Sequence, residues 1–205
     1  MKRVLLLLLL AGCRQPAGLP FYQTAAKTPE WIPVGTAEYS RIHRVADFAL
    51  VDQDGAVVTG ASMAGKVYVA SFFFTTCQQL CPKLQSNLAK VQQAFRDDSS
   101  VLILSHRLQA GHDNTATLRR YARANGIVAG KWHLLTGPAA TITGLARDSY
   151  FAQLPDSING IATPALAGSV LPLDLIFAKA GRIHVTVPVR PGPPDDPMVT
   201  FSCGP

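Results

Sequence analysis

Cys77 and Cys81 are the residues of this chain whose type and spacing most directly offer chemistry. If a helix begins near Cys77, positions four apart lie one turn from each other on the same side of it. Pro82 fits only in the first turn of such a helix, where its missing N–H breaks no hydrogen bond, so the helix is expected to start close to the cysteines. A helix N-terminus presents unpaired N–H groups and a partial positive charge, which favour thiolate over thiol. Cys77 is the thiol expected to be the more reactive. A dithiol this close can oxidise, bind a soft metal, or be kept reduced by a dedicated partner, and the spacing alone leaves all three open. A purely structural bridge is the weaker account, because closing so short a loop restrains the unfolded chain little.

The elements that must position this pair can be read on either side of it. Lys66 to Phe74 is apolar and aromatic enough for a buried central strand, and the apolar residues Leu80, Leu84, Leu88, Val91 and Phe95 continue as one helical stripe. Val101 to Ser105 (VLILS) is apolar throughout, as a strand covered on both faces would be. A right-handed crossover makes these two strands parallel, so both end at the same edge of the sheet, which brings His106 near the cysteines.

The remaining elements fall in order around this unit. Two apolar runs flank Asp52-Gln53-Asp54-Gly55 as a hairpin. Asp113 or Asn114 can cap the helix TATLRRYARAN and Gly126 can close it. Trp132 to Leu135 reads as a short strand, and Pro138 opens a helix running to about Arg147. Tyr150 to Gly168 lacks periodicity and reads as a loop, and LDLIFA and RIHVTV close the domain as a second hairpin. The expected fold is therefore α/β, with a central mixed sheet, flanking helices and an N-terminal β-hairpin, in one domain over residues 46–187.

The ends of the chain speak to its compartment. MKRVLLLLLLAGC has two basic residues, an apolar run too short to span a membrane, and small residues before Cys13. This resembles a bacterial lipobox, which implies a signal peptide over 1–12 and lipidation of Cys13. Residues 13–45 read as an anchor and proline-rich tether, residues 188–205 as a proline-rich tail, and the expected location is the extracytoplasmic (periplasmic) face of a membrane, held by lipid. The formal charge of +6 falls to +4 once Lys2 and Arg3 leave with the signal. The basic residues, such as Arg119, Arg120 and Arg123, are scattered without interleaved aromatics, so they read as a solvated helix face and no nucleic-acid partner is expected. Cys203 has no assigned role.

With the residues laid out, the chain resembles the Sco/SenC family of membrane-tethered, thioredoxin-like proteins that help load copper into cytochrome c oxidase. The resemblance is carried by FALVDQDGAVVT, by GKVYVASFFFTTCQQLCP with its Cys-x-x-x-Cys-Pro at Cys77, Cys81 and Pro82, then by LSHRLQAGHDNTATLRRYA, KWHLLTG, LARDSYF and AGRI. It implies a thioredoxin-like fold, Cu(I) or Cu(II) held by the two thiolates and a distal histidine, or thiol–disulfide exchange with the copper-site subunit of a respiratory oxidase or another extracytoplasmic thiol protein. The family's histidine belongs near Val170 or Leu171, where GSVLPLDLIFAKAGRI has none. Pro172 stands there instead, in the manner of the cis-proline that lies against the redox cysteines of thioredoxin-like reductases, and this favours disulfide exchange over a three-ligand metal site.

Substitute ligands are then sought among the other histidines. The resemblance places His106 and His112 in the loop after the second parallel strand, and His106 is carried as the candidate third ligand. A histidine in a polar loop is more often simply solvated. His184 lies far along the last hairpin from Pro172, His133 reads as a partly buried strand residue, and Asp174 either accepts a proton from a cysteine or points to solvent. The competing functions are a general disulfide reductase without copper and a scaffold that only binds a partner.

Overall fold

The computed structural model describes residues 19–26, 28–75, 80–108, 114–152, 173–179 and 182–189, with the backbone alone for the last two segments and for residues 80, 81 and 83. The chain opens with a ribbon, β1 (Phe21–Tyr22) against β2 (Pro29–Glu30), followed by a short helix α1 (Ala37–Ser40). Thr36 caps α1 by accepting from the Tyr39 N–H at 3.1 Å. Phe21, Ile32 and Ile42 close a small apolar cluster with Tyr39, and β1 lies beside the last strand of the main sheet. From residue 19 on, then, the stretch expected as an irregular tether carries structure. Its strands are two residues long, too short for any period to show in the sequence.

The hairpin β3 (Ala49–Val51) and β4 (Val57–Thr59) forms around the turn the sequence announced. Asp52 shapes that turn: its Oδ1 accepts from the N–H groups of Asp54 and Ala56, both at 2.9 Å. The main sheet follows, built from β5 (Val67–Phe73), β6 (Val101–Arg107), β7 (Trp132–Leu135), β8 (Leu173–Lys179) and β9 (Arg182–Val189), in the order β7-β6-β5-β8-β9. β5, β6 and β7 are parallel, β8 runs antiparallel to β5, and β9 antiparallel to β8. β9 extends through Pro188 to Val189, into the stretch expected to be irregular from Pro188, and residues 190–205 lie outside the described residues. Proline is tolerated there because β9 is the edge strand.

Helices α2 (Leu80–Ala94) and α3 (Thr115–Ala124) connect β5 to β6 and β6 to β7, and α4 (Ala139–Gly144) follows β7. Two right-handed crossovers advancing in the same direction across a sheet put their helices on the same face. Accordingly Gln92 of α2 reaches the end of α3, donating to the Gly126 carbonyl at 3.0 Å and accepting from the Val128 N–H at 2.9 Å. Asn114 caps α3 through the Thr117 N–H at 3.0 Å, and Gly126 ends it at φ +64°, a conformation open to glycine. After β7 the chain returns across the sheet to β8, which carries α4 to the opposite face.

That opposite face is sealed by α4, a π-type turn over Leu145–Ser149, and the β3–β4 hairpin. Tyr150, expected to begin a loop, is 1 % exposed and belongs to this layer. Gly137 allows the hairpin to approach, since a Cβ there would stand 2.5 Å from Leu50 Cδ2. On the α2 face Leu84 and Leu88 are fully buried, whereas Phe95, past the end of α2, is 43 % exposed.

Candidate thiol site

Cys81 is the second residue of α2 and Pro82, exposed to solvent, the third, so the proline sits in the first turn, as its chemistry requires. Cys77 lies outside the described residues, between Thr75, just past the C-terminal end of β5, and Leu80, the start of α2. Cys13, His112, Pro172 and Cys203 also lie outside the described residues. Asp174 is in β8, opposite Pro188 of β9, and His184 is in β9.

His106 corrects an expectation. It is not in a loop but within β6, paired in register with Phe72 and 0 % exposed. Its ring is stacked on Phe72 at 5.1 Å and lies 5.4 Å from Tyr150 and 6.2 Å from Phe48. Nδ1–H donates to the Ser71 carbonyl at 3.3 Å, which fixes Nε2 as the unprotonated nitrogen, and Nε2 has no hydrogen-bond partner among the described residues. Burial lowers the imidazole pKa from 6.5 to about 4, although hydrogen bonds to the Ser71 and Leu104 backbone oppose the shift. His106 is therefore neutral at physiological pH. Below it, the hydroxyls of Tyr68 and Tyr150 meet at 3.3 Å, and burial pushes both phenols above their ordinary range.

His133 is held as a partly buried strand residue, its Nδ1 donating to Asp52 Oδ2 at 2.9 Å. The neighbouring Gln53, 2 % exposed, binds the outer edge of β7: its Nε2 donates to the Trp132 carbonyl at 3.0 Å and its Oε1 accepts from the Leu134 N–H at 2.7 Å. Several buried polar residues escaped sequence reasoning, two of them large. Gln85 of α2 and Arg107 at the end of β6 are 6 % and 4 % exposed. For Arg107 the signal was the run VLILSHRL, in which the strand continues two residues past the apolar stretch.

The donor set can be tested against copper. Two thiolates are soft donors suited to Cu(I). Among the described residues no group of three or more histidine, cysteine and acidic side chains is placed to hold a metal ion, and His106 is walled in by rings.

A mixed sheet with parallel β5 and β6, an antiparallel β8–β9 hairpin, and a Cys-x-x-x-Cys-Pro entering the helix after β5 define an α/β protein of thioredoxin-like fold. The family model described as SCO1/SenC matches residues 36–158, well over half of the chain, and the chain belongs to that family. A curated SCO1 protein homolog of Bacillus subtilis is 28 % identical over 96 residues, 46 % of this chain and 50 % of that protein, so the match spans half of the relative's length. Among solved structures, BsSco, a member of the Sco family of cytochrome c oxidase assembly proteins in which a disulfide switch was identified, superposes with a TM-score of 0.59 at 23 % identity, over 75 % of this chain and 88 % of that one. A SCO1/SenC family lipoprotein of Bacillus anthracis gives 0.58 at 21 % identity, over 75 % and 89 %. ScoI of Bradyrhizobium japonicum, solved with copper bound, gives 0.54 at 22 % identity, over 74 % and 94 %.

Proposed function

We propose that this chain is a lipid-anchored Sco protein of the extracytoplasmic membrane face, tethered through Cys13, that delivers copper to, or reduces the cysteines of, the copper site of a respiratory oxidase. The observation that carries this reading is the Cys-x-x-x-Cys-Pro at the entry to α2, in a chain of the SCO1/SenC family. In the delivery version Cys77 and Cys81 hold Cu(I) as cargo, without a third protein ligand. His106 gives little support to a third bond, because its ring is enclosed in the core. In the redox version the Cys77 thiolate attacks a partner disulfide, a mixed disulfide forms as one partner cysteine leaves as thiolate, and Cys81 displaces the second, leaving a Cys77–Cys81 disulfide and a reduced partner. Pro172 is proposed to lie against that pair. The copper-bound and lipoprotein relatives support copper and the anchor respectively.

The second reading is a general extracytoplasmic disulfide reductase, favoured by Pro172 and by the missing histidine near Val170. Mixing the Cu(I)-loaded chain with the metal-free copper-site subunit of an oxidase tests the choice. Transfer of copper supports delivery; reduction of the oxidised subunit by a copper-free chain supports the redox version. Reduction of unrelated disulfides at the same rate, with no copper transfer, would replace both with the general reductase.

A further inference from the structure

The β1–β2 ribbon precedes the stretch that the family model matches, which starts at residue 36. It is nevertheless a built element: Phe21, Ile32 and Ile42 are buried together with Tyr39 against them, and β1 lies beside β9. Phe21 pairs antiparallel with Glu30, so the residues before β1 and those after β2 leave the ribbon at the same end. That end is apolar on its outside. Leu19 is 62 % exposed, Trp31 48 % and Val34 80 %, half of the six large apolar side chains that stand exposed among the described residues. Ile32 turns inward to the cluster, so its neighbours Trp31 and Pro33 face outward. Val34 stands on the turn from Pro33 to Thr36, which the Thr36 N–H closes on the Pro33 carbonyl at 3.4 Å, with Gly35 at φ +88°. Exposed apolar residues scattered singly need no explanation, whereas a group gathered in one place marks a surface that something covers.

We propose that the lipid surface covers this end of the ribbon: Leu19, Trp31 and Val34 rest in the headgroup region of the membrane and fix how the domain stands on it. The inference deepens the reading of Cys13 as the lipidated residue and rests on it. The place where the chain arrives selects the occupant. Cys13 precedes Leu19 by six positions, so a lipid on Cys13 brings the bilayer to the end of the ribbon where these side chains gather, rather than to the end where β1 turns into β2. Tryptophan suits such a layer because its ring is apolar and its N–H polar, matching a boundary that is oily on one side and wet on the other. The charges agree. Arg41 and Arg44, exposed on either side of Ile42, suit lipid phosphates, and from Leu19 to Arg44 the one exposed carboxylate among the described residues is Glu38, Glu30 being engaged by the Gln23 amide. No helix among the described residues is long and apolar enough to cross a membrane, so this contact lies on the surface. Because β1 lies beside β9, seating the ribbon also orients the main sheet.

The chain carries its own reporter, since it has two tryptophans and the other, Trp132, is fully buried with its Nε1–H donating to Ser105 Oγ. The test compares the lipidated chain in vesicles of phosphatidylethanolamine and phosphatidylglycerol with the same chain in vesicles whose acyl chains are brominated close to the headgroup, which quench only tryptophan in contact with them. Emission is expected to fall to about half in the brominated vesicles, Trp132 alone continuing to emit. Trp31→Phe is expected to abolish the response, and Val34→Asp, on an exposed turn, to weaken it severalfold while the chain stays on the vesicles. Equal emission from both kinds of vesicle, with the chain held by its lipid, would overturn the seated ribbon and leave the anchor standing. Protection of Trp31 from aqueous iodide that grows with the density of chains on unbrominated vesicles, without quenching by bromine, would overturn it in favour of a second copy. A chain recovered from bacterial membranes with Cys13 unmodified by mass would overturn the anchor and the inference together.

Discussion

His106 stacks on Phe72, its register partner across the parallel β5–β6 pair, with ring centroids 5.1 Å apart and planes inclined by 28°. A histidine so placed is an ionisable group stored neutral in the core, and its titration is linked to folding. Its pKa of about 4 lies below the ordinary 6.5, so between these values the unfolded chain binds more protons than the folded one. Stability is full above pH 6.5 and declines as pH falls toward 4, by on the order of 3 kcal/mol. Urea unfolding of the unaltered chain and of His106→Leu across this range checks the point. The variant is expected to lose that part of the pH dependence, and equal slopes would contradict it.

The Tyr68–Tyr150 hydroxyl pair gives a spectroscopic expectation. Burial raises both phenols, so these two of the five tyrosines should remain protonated above the ordinary phenol range. Ultraviolet titration is expected to show the deficit, and Tyr150→Phe to remove one of the late phenols at a cost of about 1 kcal/mol. Ionisation of all five together below the alkaline unfolding transition would contradict the buried pair.

Gln53 predicts a local effect. It satisfies the Trp132 carbonyl and the Leu134 N–H on the outer edge of β7, an edge that would otherwise be open to pairing. Gln53→Leu is expected to cost roughly 2–4 kcal/mol, because two backbone groups lose their partners. Hydrogen exchange at Leu134 is expected to accelerate more than at Leu104 in the centre of β6. A uniform change at both amides would point to global destabilisation instead.

Much of the fold was legible because its strands are apolar runs closed by turn residues. The Asp52–Gly55 turn, β5, β6, β7 and the last hairpin all follow from period and punctuation. What escaped was long-range. His106 and Arg107 end an apolar run and read as the start of a loop, yet the hairpin and α4 cover one and the α2–α3 layer encloses the other. Tyr150 looked like loop because its burial comes from packing on Phe72, 78 positions earlier in the chain, with ring centroids 5.9 Å apart. Of the site itself, the cysteine motif and the proline in the first turn of α2 were readable from spacing alone. The third-ligand candidate was not, since no local pattern tells a loop histidine from a core one.

Competition for Cu(I) between the reduced chain and a chelator of known affinity tests the central claim most directly. One Cu(I) per chain is expected, bound in the unaltered protein and in His106→Leu, and lost in Cys77→Ser and in Cys81→Ser. Copper retained after either cysteine is replaced, or no copper bound by the unaltered chain, would contradict a two-thiolate copper site.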